Sequence, residues 1–338
     1  MIKKQILFIY PNNSTFVKND YEILAKKFRI KKHHYVQSKS ILRNLICQLL
    51  VFIFFLKNIR SSAAIFVWFA DYHSFLPVLF GKIFSRPSFI VIGGYDVTYL
   101  PSIKYGSFSN PIRSYCAKYS LENASLNLAV SDNLVNDAHK YVSKININVL
   151  YTGYSHQKLS FETDRKKIGI ISVCGAFSLQ RVYLKGVDLI IETAKILPNE
   201  KFLIIAADEN LLRSNFEVPQ NIEVVASLPH EQLIAYYQNA LVYIQLSLRE
   251  GLPNSVCESM LCGCIPVGTN SGGIPIAIGD AGFIVDHRDP KLIADSITKA
   301  LNCNLSDRIK ARQRVINLFS LENRETQLLK KINSFLIN

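Results

Sequence analysis

The chain has 338 residues, 49% of them apolar, and a formal net charge of +13 from 39 Lys+Arg against 26 Asp+Glu. That length suits two domains, each large enough for its own core, and the apolar content excludes an intrinsically disordered chain. Seven cysteines, an odd number without paired metal-type spacing, argue against a disulfide framework and for a reducing compartment.

No secretory signal opens the sequence; residues 1–10 read as a charged start and then a strand, KQILFIY. PNNSTFVKNDYE (11–22) reads as a loop, and the densest basic run follows it: Lys26, Lys27, Arg29, Lys31 and Lys32. The most apolar stretch, LICQLLVFIFFL (45–56), is flanked by Arg43 and Lys57 and falls short of the roughly 20 residues that a spanning helix needs. It is either a core helix or one lying in a membrane interface. AAIFVWF, SFIVIGG and LNLAVS read as further strands, and His73 and Asp96 are the polar candidates at strand ends. Residues 147–167 lose periodicity and read as a linker.

The charge divides at that linker. Residues 1–167 carry 23 Lys+Arg against 9 Asp+Glu, a balance of +14, whereas residues 168–338 carry 16 against 17. A basic half beside an apolar helix fits an anionic membrane surface. Nucleic acid would also fit the charge, but none of its recognition modules is apparent.

A second series follows: the strand IGIISVCGAF, a helix from about Val187 to Leu197, KFLIIAAD, NIEVVAS, a helix around Gln232 to Ala240, LVYIQLS and CIPVGT. Strands alternating with helices indicate parallel α/β sheets, here two successive doubly wound domains. Between LVYIQLS and CIPVGT, Glu250 and Glu258 straddle a Gly251-Leu252-Pro253-Asn254 turn. Ser255 and Glu258 have the spacing of a capping box, with a helix to about Cys262 and Gly263 as its stop. Cys262 and Cys264 then fall where small apolar residues pack. Glu250 has no such local role; it sits on the strand-to-helix loop, where open α/β sheets bind ligands and helix N-termini attract phosphate. No G-x-G-x-x-G, P-loop, G-x-S-x-G, H-E-x-x-H or D-x-D motif is present, which removes the fingerprints of dinucleotide, nucleotide-hydrolysing, esterase-type, zinc-protease and metal-diphosphate chemistry.

With CGAFSLQRVYLKGVDLIIETAKIL, LPHEQLIAYYQNA, and the glutamate segment followed by TNSGGIP and DAGFIV, the sequence resembles the retaining family 4 glycosyltransferases, glycosyltransferases group 1. The likeness is dense over 168–290 and thin over 1–140. It implies the GT-B fold, two Rossmann-like domains facing a central cleft: an acceptor-binding domain over 1–165 and a nucleotide-sugar-binding domain over 166–321. A C-terminal helix, 322–338, can pack back on the first. The implied activity moves a sugar from a nucleotide-sugar donor to a glycan or lipid-linked acceptor in polysaccharide or glycolipid biosynthesis.

By the same resemblance, Arg181 and Lys185 hold the diphosphate without a metal or other cofactor, Glu250 faces the donor sugar and Glu258 the ribose hydroxyls. Gly175, Gly251, Leu252, Pro253, Asn254 and Ser255 join the donor site, and His73 and Asp96 are acceptor-side candidates. The protein would be cytoplasmic and peripheral on the inner face of the membrane. The sequence departs from the family at Gly175-Ala176, where glycine-arginine is frequent, at Ile276, where a glutamate is common, and in a front loop without paired glycines. A nucleotide-sugar epimerase of the same fold and a catalytically inactive membrane partner subunit are the rival readings.

Overall fold

The computed structural model describes residues 3–38, 40–163 and 169–336. They form two compact units. One runs to Gly153 and includes the segment from Leu321 onward; the other spans Tyr154–Ser320. The domain boundary expected at 165/166 lies outside the described residues.

The first unit carries strands β1 (Gln5–Tyr10), β2 (Arg29–His34), β3 (Ala64–Trp68), β4 (Ser88–Ile92), β5 (Leu126–Ala129) and β6 (Ile147–Val149). Between them run helices α1 (Thr15–Lys27), α2 (Ile41–Asn58), α3 (Tyr72–Ile83), α4 (Pro111–Asn123) and α5 (Asp132–Tyr141). Among the described residues these strands form one parallel sheet in the order β2-β1-β3-β4-β5-β6. β1, β3 and β4 are buried along their whole length, which is why they read as unbroken apolar runs. Phe8 stacks on Phe66 across the β1–β3 pair, with ring centroids 5.5 Å apart.

One sequence reading changes here, and two stretches whose structure the sequence left open are placed. Residues 11–22, read as a loop, hold the first half of α1. The basic run divides: Lys26 and Lys27 close α1, whereas Arg29, Lys31 and Lys32 lie on a parallel edge strand, β2, whose charged, largely exposed residues gave no apolar signal and discourage edge-to-edge pairing. The stretch 45–56 lies in α2, which buries Val51 and Phe55 but leaves most of its leucines exposed.

The second unit carries β7 (Ile170–Ala176), β8 (Phe202–Ala207), β9 (Ile222–Val225), β10 (Val242–Gln245), β11 (Ile265–Thr269) and β12 (Phe283–Val285). Its helices are α6 (Leu179–Lys185), α7 (Val187–Ile196), α8 (Glu209–Asn215), α9 (His230–Asn239), α10 (Asn254–Leu261), α11 (Ile274–Ile278), α12 (Pro290–Leu301) and α13 (Leu305–Phe319). The parallel order is β12-β11-β10-β7-β8-β9. The chain winds outward from β7 through β8 to β9, returns to β10 beside β7, and winds the other way. That reversal makes the carboxyl ends of β7 and β10 a topological switch point, the place where such sheets bind ligands. Helix α14 (Leu321–Leu336) belongs to the first unit, where Phe335 meets Phe89 edge-on at 5.4 Å.

Candidate active site

Two segments leave the switch point, and they meet. From β7 the chain enters α6, a helix the sequence reading passed over because it is only seven residues long. Ser178 opens it, its hydroxyl accepting from the Arg181 N–H at 3.4 Å, and Gly186 closes it. Gly186 holds φ of +71°, and a β-carbon there would lie 2.1 Å from the Leu246 carbonyl oxygen, so only glycine lets α6 end against the strand exit. The Leu248 N–H donates to the Leu184 carbonyl at 2.8 Å, tying the β10 loop to the last turn of α6. In consequence Lys185 Nζ reaches Glu250 Oε1 at 2.5 Å, with 17% and 15% of the two side chains exposed.

Glu250 is held from below by a polar ladder. Tyr243, Gln245 and Ser247 alternate down one face of β10 and its exit, and all three are buried. The Tyr243 hydroxyl donates to Gln245 Oε1 at 2.9 Å, and Ser255 Oγ donates to the same oxygen at 3.2 Å. Gln245 Nε2 donates to Ser247 Oγ at 2.7 Å and to Glu250 Oε1 at 3.1 Å, and Ser247 Oγ donates to Glu250 Oε1 at 2.7 Å. Burial raises the Tyr243 phenol well above its ordinary range, so it stays a neutral donor and fixes the orientation of the Gln245 amide. Three donors thus converge on one carboxylate oxygen, and Oε2 takes part in none of these contacts. The sequence reading missed Gln245 and Ser247; the signal available was polar side chains inside a strand otherwise read as apolar. From above, the Gly273 N–H donates to the Glu250 carbonyl at 3.0 Å. Gly272, at φ of +56°, lies so close that a β-carbon would sit 2.2 Å from that oxygen.

Arg181 lies one turn before Lys185, so both cations share a face of α6. Its Nε donates to the Gly175 carbonyl at 3.0 Å, which folds the guanidinium back over the end of β7. Cys174 is buried nearby, and burial pushes its thiol up to about 11, so it remains a neutral packing residue.

Gly251, Leu252 and Pro253 are buried, and α10 starts at Asn254, whose Oδ1 accepts from the Tyr154 hydroxyl at 2.7 Å. The expected capping box does not form: the helix starts two residues too early for it, and the Ser255 hydroxyl is taken by Gln245. Cys262 and Cys264 are buried and free, as the packing reading expected. Glu258 instead pairs with His230 at the start of α9, Oε1 to Nε2 3.0 Å. That hydrogen bond raises the His230 pKa against the opposing effect of burial, and Glu231 and Lys158 also act on the imidazole. A raised histidine contributes stability that is complete below its unfolded pKa near 6.5 and is lost as pH rises through the higher folded value. Glu258→Gln should therefore bring the His230 titration midpoint, followed by NMR, down toward the ordinary value. An unchanged midpoint would show that the pair is not formed in solution.

The two acceptor-side candidates are enclosed rather than presented. His73 is buried, its Nε2 2.7 Å from the Trp68 carbonyl, and burial lowers its pKa, keeping the ring neutral. Asp96 is fully buried and accepts the N–H groups of Gly94 at 2.7 Å and of Ala70 and Gly93 at 3.2 Å. Burial outweighs those bonds and pushes its carboxyl up to about 6. Both residues brace the carboxyl ends of β3 and β4. The polar group nearer the surface there is Arg113, 3.1 Å from Asp71 and lying over the Tyr72 and Tyr95 rings.

Residues 162–317 match the family described as Glycosyl transferases group 1. Over this segment, just under half of its length, the chain is similar to the group 1 glycosyl transferases. Lys185, Glu250 and Glu258 all fall inside it. A capsular polysaccharide biosynthesis glycosyltransferase, CapM, of Staphylococcus aureus is 31% identical over 45% of this chain and 43% of its own length. The D-inositol 3-phosphate glycosyltransferase of Corynebacterium jeikeium is 32% identical over 26% of this chain and 22% of its own. The chain thus spans less than half the length of these relatives. Over the whole chain the fold is GT-B: sucrose-phosphate synthase from Thermosynechococcus elongatus superposes with a TM-score of 0.81 at 14% identity, covering 99% of this chain and 100% of that one. Anabaena Alr3699/HepE, solved with UDP-glucose, gives 0.73 at 12% identity, covering 98% and 99%.

Proposed function

We propose that this chain is a group 1 glycosyltransferase, retaining and metal-independent, that moves a hexosyl group from a nucleotide-sugar donor to a glycan or lipid-linked acceptor. The observation that carries the reading is the contact of Lys185 with Glu250 at the switch point of the second sheet, with Arg181 on the same helix face. A diphosphate leaving group gains negative charge as the glycosidic bond breaks, and two fixed cations held out of bulk water stabilise that charge. Glu250, locked by its three donors, faces the sugar, and Glu258 takes the ribose hydroxyls. The bond from the anomeric carbon to the phosphate oxygen breaks while the acceptor oxygen bonds to the same face of that carbon. The departing phosphate oxygen receives the acceptor's proton. The UDP-glucose complex of the Anabaena neighbour and the glycan-building names of the curated relatives support this class of donor and acceptor. The seven free cysteines support a reducing cytoplasmic setting, and the +14 balance of residues 1–167 supports a peripheral place on the inner membrane face.

A thermal-shift series with UDP, GDP, ADP and their sugars tests the donor site, because a ligand bound only by the folded chain stabilises it by about 2.7 kcal/mol at a hundred times its Kd. One nucleotide should raise the melting temperature, and a series in which none does would overturn the reading. Hydrolysis or transfer of the matching sugar should then survive EDTA. An absolute requirement for added Mn²⁺ or Mg²⁺ would show that Arg181 and Lys185 do not hold the diphosphate alone.

A further inference from the structure

Helix α2 is amphipathic the wrong way round for water. Its amide side chains turn toward the protein: Gln48 Nε2 donates to the Tyr72 carbonyl at 2.9 Å and the Tyr35 hydroxyl at 3.2 Å, and Asn44 Nδ2 donates to the Ser38 carbonyl at 2.8 Å. Asn58 is buried with Val51 and Phe55 on the same side. The opposite side carries Leu42, Leu45, Ile46, Leu49, Ile53 and Leu56, each between 38% and 68% exposed. At 3.6 residues per turn these six fall within an arc of roughly 100° and run about 20 Å along the helix. Single exposed leucines are ordinary, but a continuous apolar ridge of this length marks an interaction surface.

The surrounding charge says what covers it. No Asp or Glu occurs from residue 23 to residue 70, a stretch with nine Lys and Arg. Arg43 and Lys57 lie at the rim of the ridge and Arg60 just beyond its end, all exposed. A second copy of the chain, meeting this face with its own, would set these cations against themselves. No helix of the described residues is long and apolar enough to cross a membrane, and α2 is packed onto its unit through Val51 and Phe55.

We propose that the outer face of α2 docks on an anionic lipid bilayer, its leucine ridge entering the acyl boundary and Arg43, Lys57 and Arg60 meeting the headgroups. The inference deepens the peripheral-membrane reading given above and does not depend on the donor site. Docking leaves the first sheet's unit on the bilayer, which suits an acceptor carried by lipid.

The test is co-sedimentation of the full chain with vesicles of phosphatidylcholine alone and of phosphatidylcholine mixed with phosphatidylglycerol. Wild type should bind the mixed vesicles, more weakly as salt is raised. Arg43→Gln/Lys57→Gln/Arg60→Gln should lose at least about tenfold, since each basic residue near such a surface is worth about fivefold. Leu45→Gln/Leu49→Gln/Ile53→Gln should lose binding at every salt concentration while keeping its melting temperature and its donor hydrolysis, because these side chains are exposed. Equal wild-type binding to both vesicles, or none to either, would overturn the proposal. So would a leucine variant that binds vesicles as wild type does, or one that only converts a dimer to a monomer. Donor hydrolysis, read in parallel, reports separately on the site at Lys185 and Glu250.

Discussion

Lys185→Ala and Glu250→Ala should each lower turnover at saturating donor by about a hundredfold or more, the usual cost of losing a preorganised electrostatic contact at the reacting group. The geometry sharpens this expectation in two ways. The side chains touch, so the double variant should cost much less than the product of the single effects. Each is also mostly enclosed, and deleting one leaves the other's charge without its partner, so stability must be followed alongside turnover. Lys185→Met and Glu250→Gln, which keep side-chain volume, provide variants with less structural loss. Gln245→Leu should act through Glu250: it removes a donor from Oε1 and strands the Tyr243 and Ser255 hydroxyls, so turnover should fall about tenfold with about 1–3 kcal/mol of lost stability. Near-wild-type turnover in a folded Glu250→Ala protein would end the assignment of that residue to the reaction.

What the sequence revealed follows from what each segment buries. β1, β3, β4 and β10 are buried along their whole length and β7 and β8 along most of it, and such strands are mainly apolar, so they could be read directly even though β10 ends on Gln245. β2 could not, because an edge strand made of Arg29, Lys31, Lys32 and two histidines buries almost nothing. α6 escaped notice because two turns are too short for a periodic pattern, although Lys185-Gly186 holds its stop signal. The family resemblance assigned Lys185 and Glu250 to one donor site but did not pair them; their contact depends on β7 and β10 being neighbours, a non-local fact. The Ser255–Glu258 spacing misled for a related reason. A capping box is a local device, and here both side chains are claimed by distant partners, Gln245 and His230. The direction in which α2 faces was likewise open until its amides were seen turned inward.

Arg324→Ala should be the most destabilising single change in the first unit, at about 3–5 kcal/mol, the range for leaving one member of a buried ion pair alone. Arg324 and Asp20 have side chains 1% and 0% exposed. Arg324 Nε donates to Asp20 Oδ1 at 2.5 Å and its second terminal nitrogen to Oδ2 at 2.6 Å, a two-pronged contact that a lysine could not reproduce. The remaining terminal nitrogen donates to the carbonyls of Leu150 at 3.0 Å and Tyr151 at 2.6 Å, and the guanidinium lies 5.6 Å from the centre of the Trp68 ring. One side chain therefore fastens α14 to α1, to the exit of β6 and to the end of β3. Removing it leaves the Asp20 carboxylate and both carbonyls short of partners in a dry interior. The sole tryptophan of the chain, Trp68, lies in this unit, so its fluorescence during denaturant unfolding reports on it apart from the second unit. Asp20→Leu/Arg324→Met, which removes both charges and keeps apolar volume, should lose far less than Arg324→Ala. A midpoint for Arg324→Ala within about 1 kcal/mol of wild type would mean that α14 is held by its apolar contacts alone.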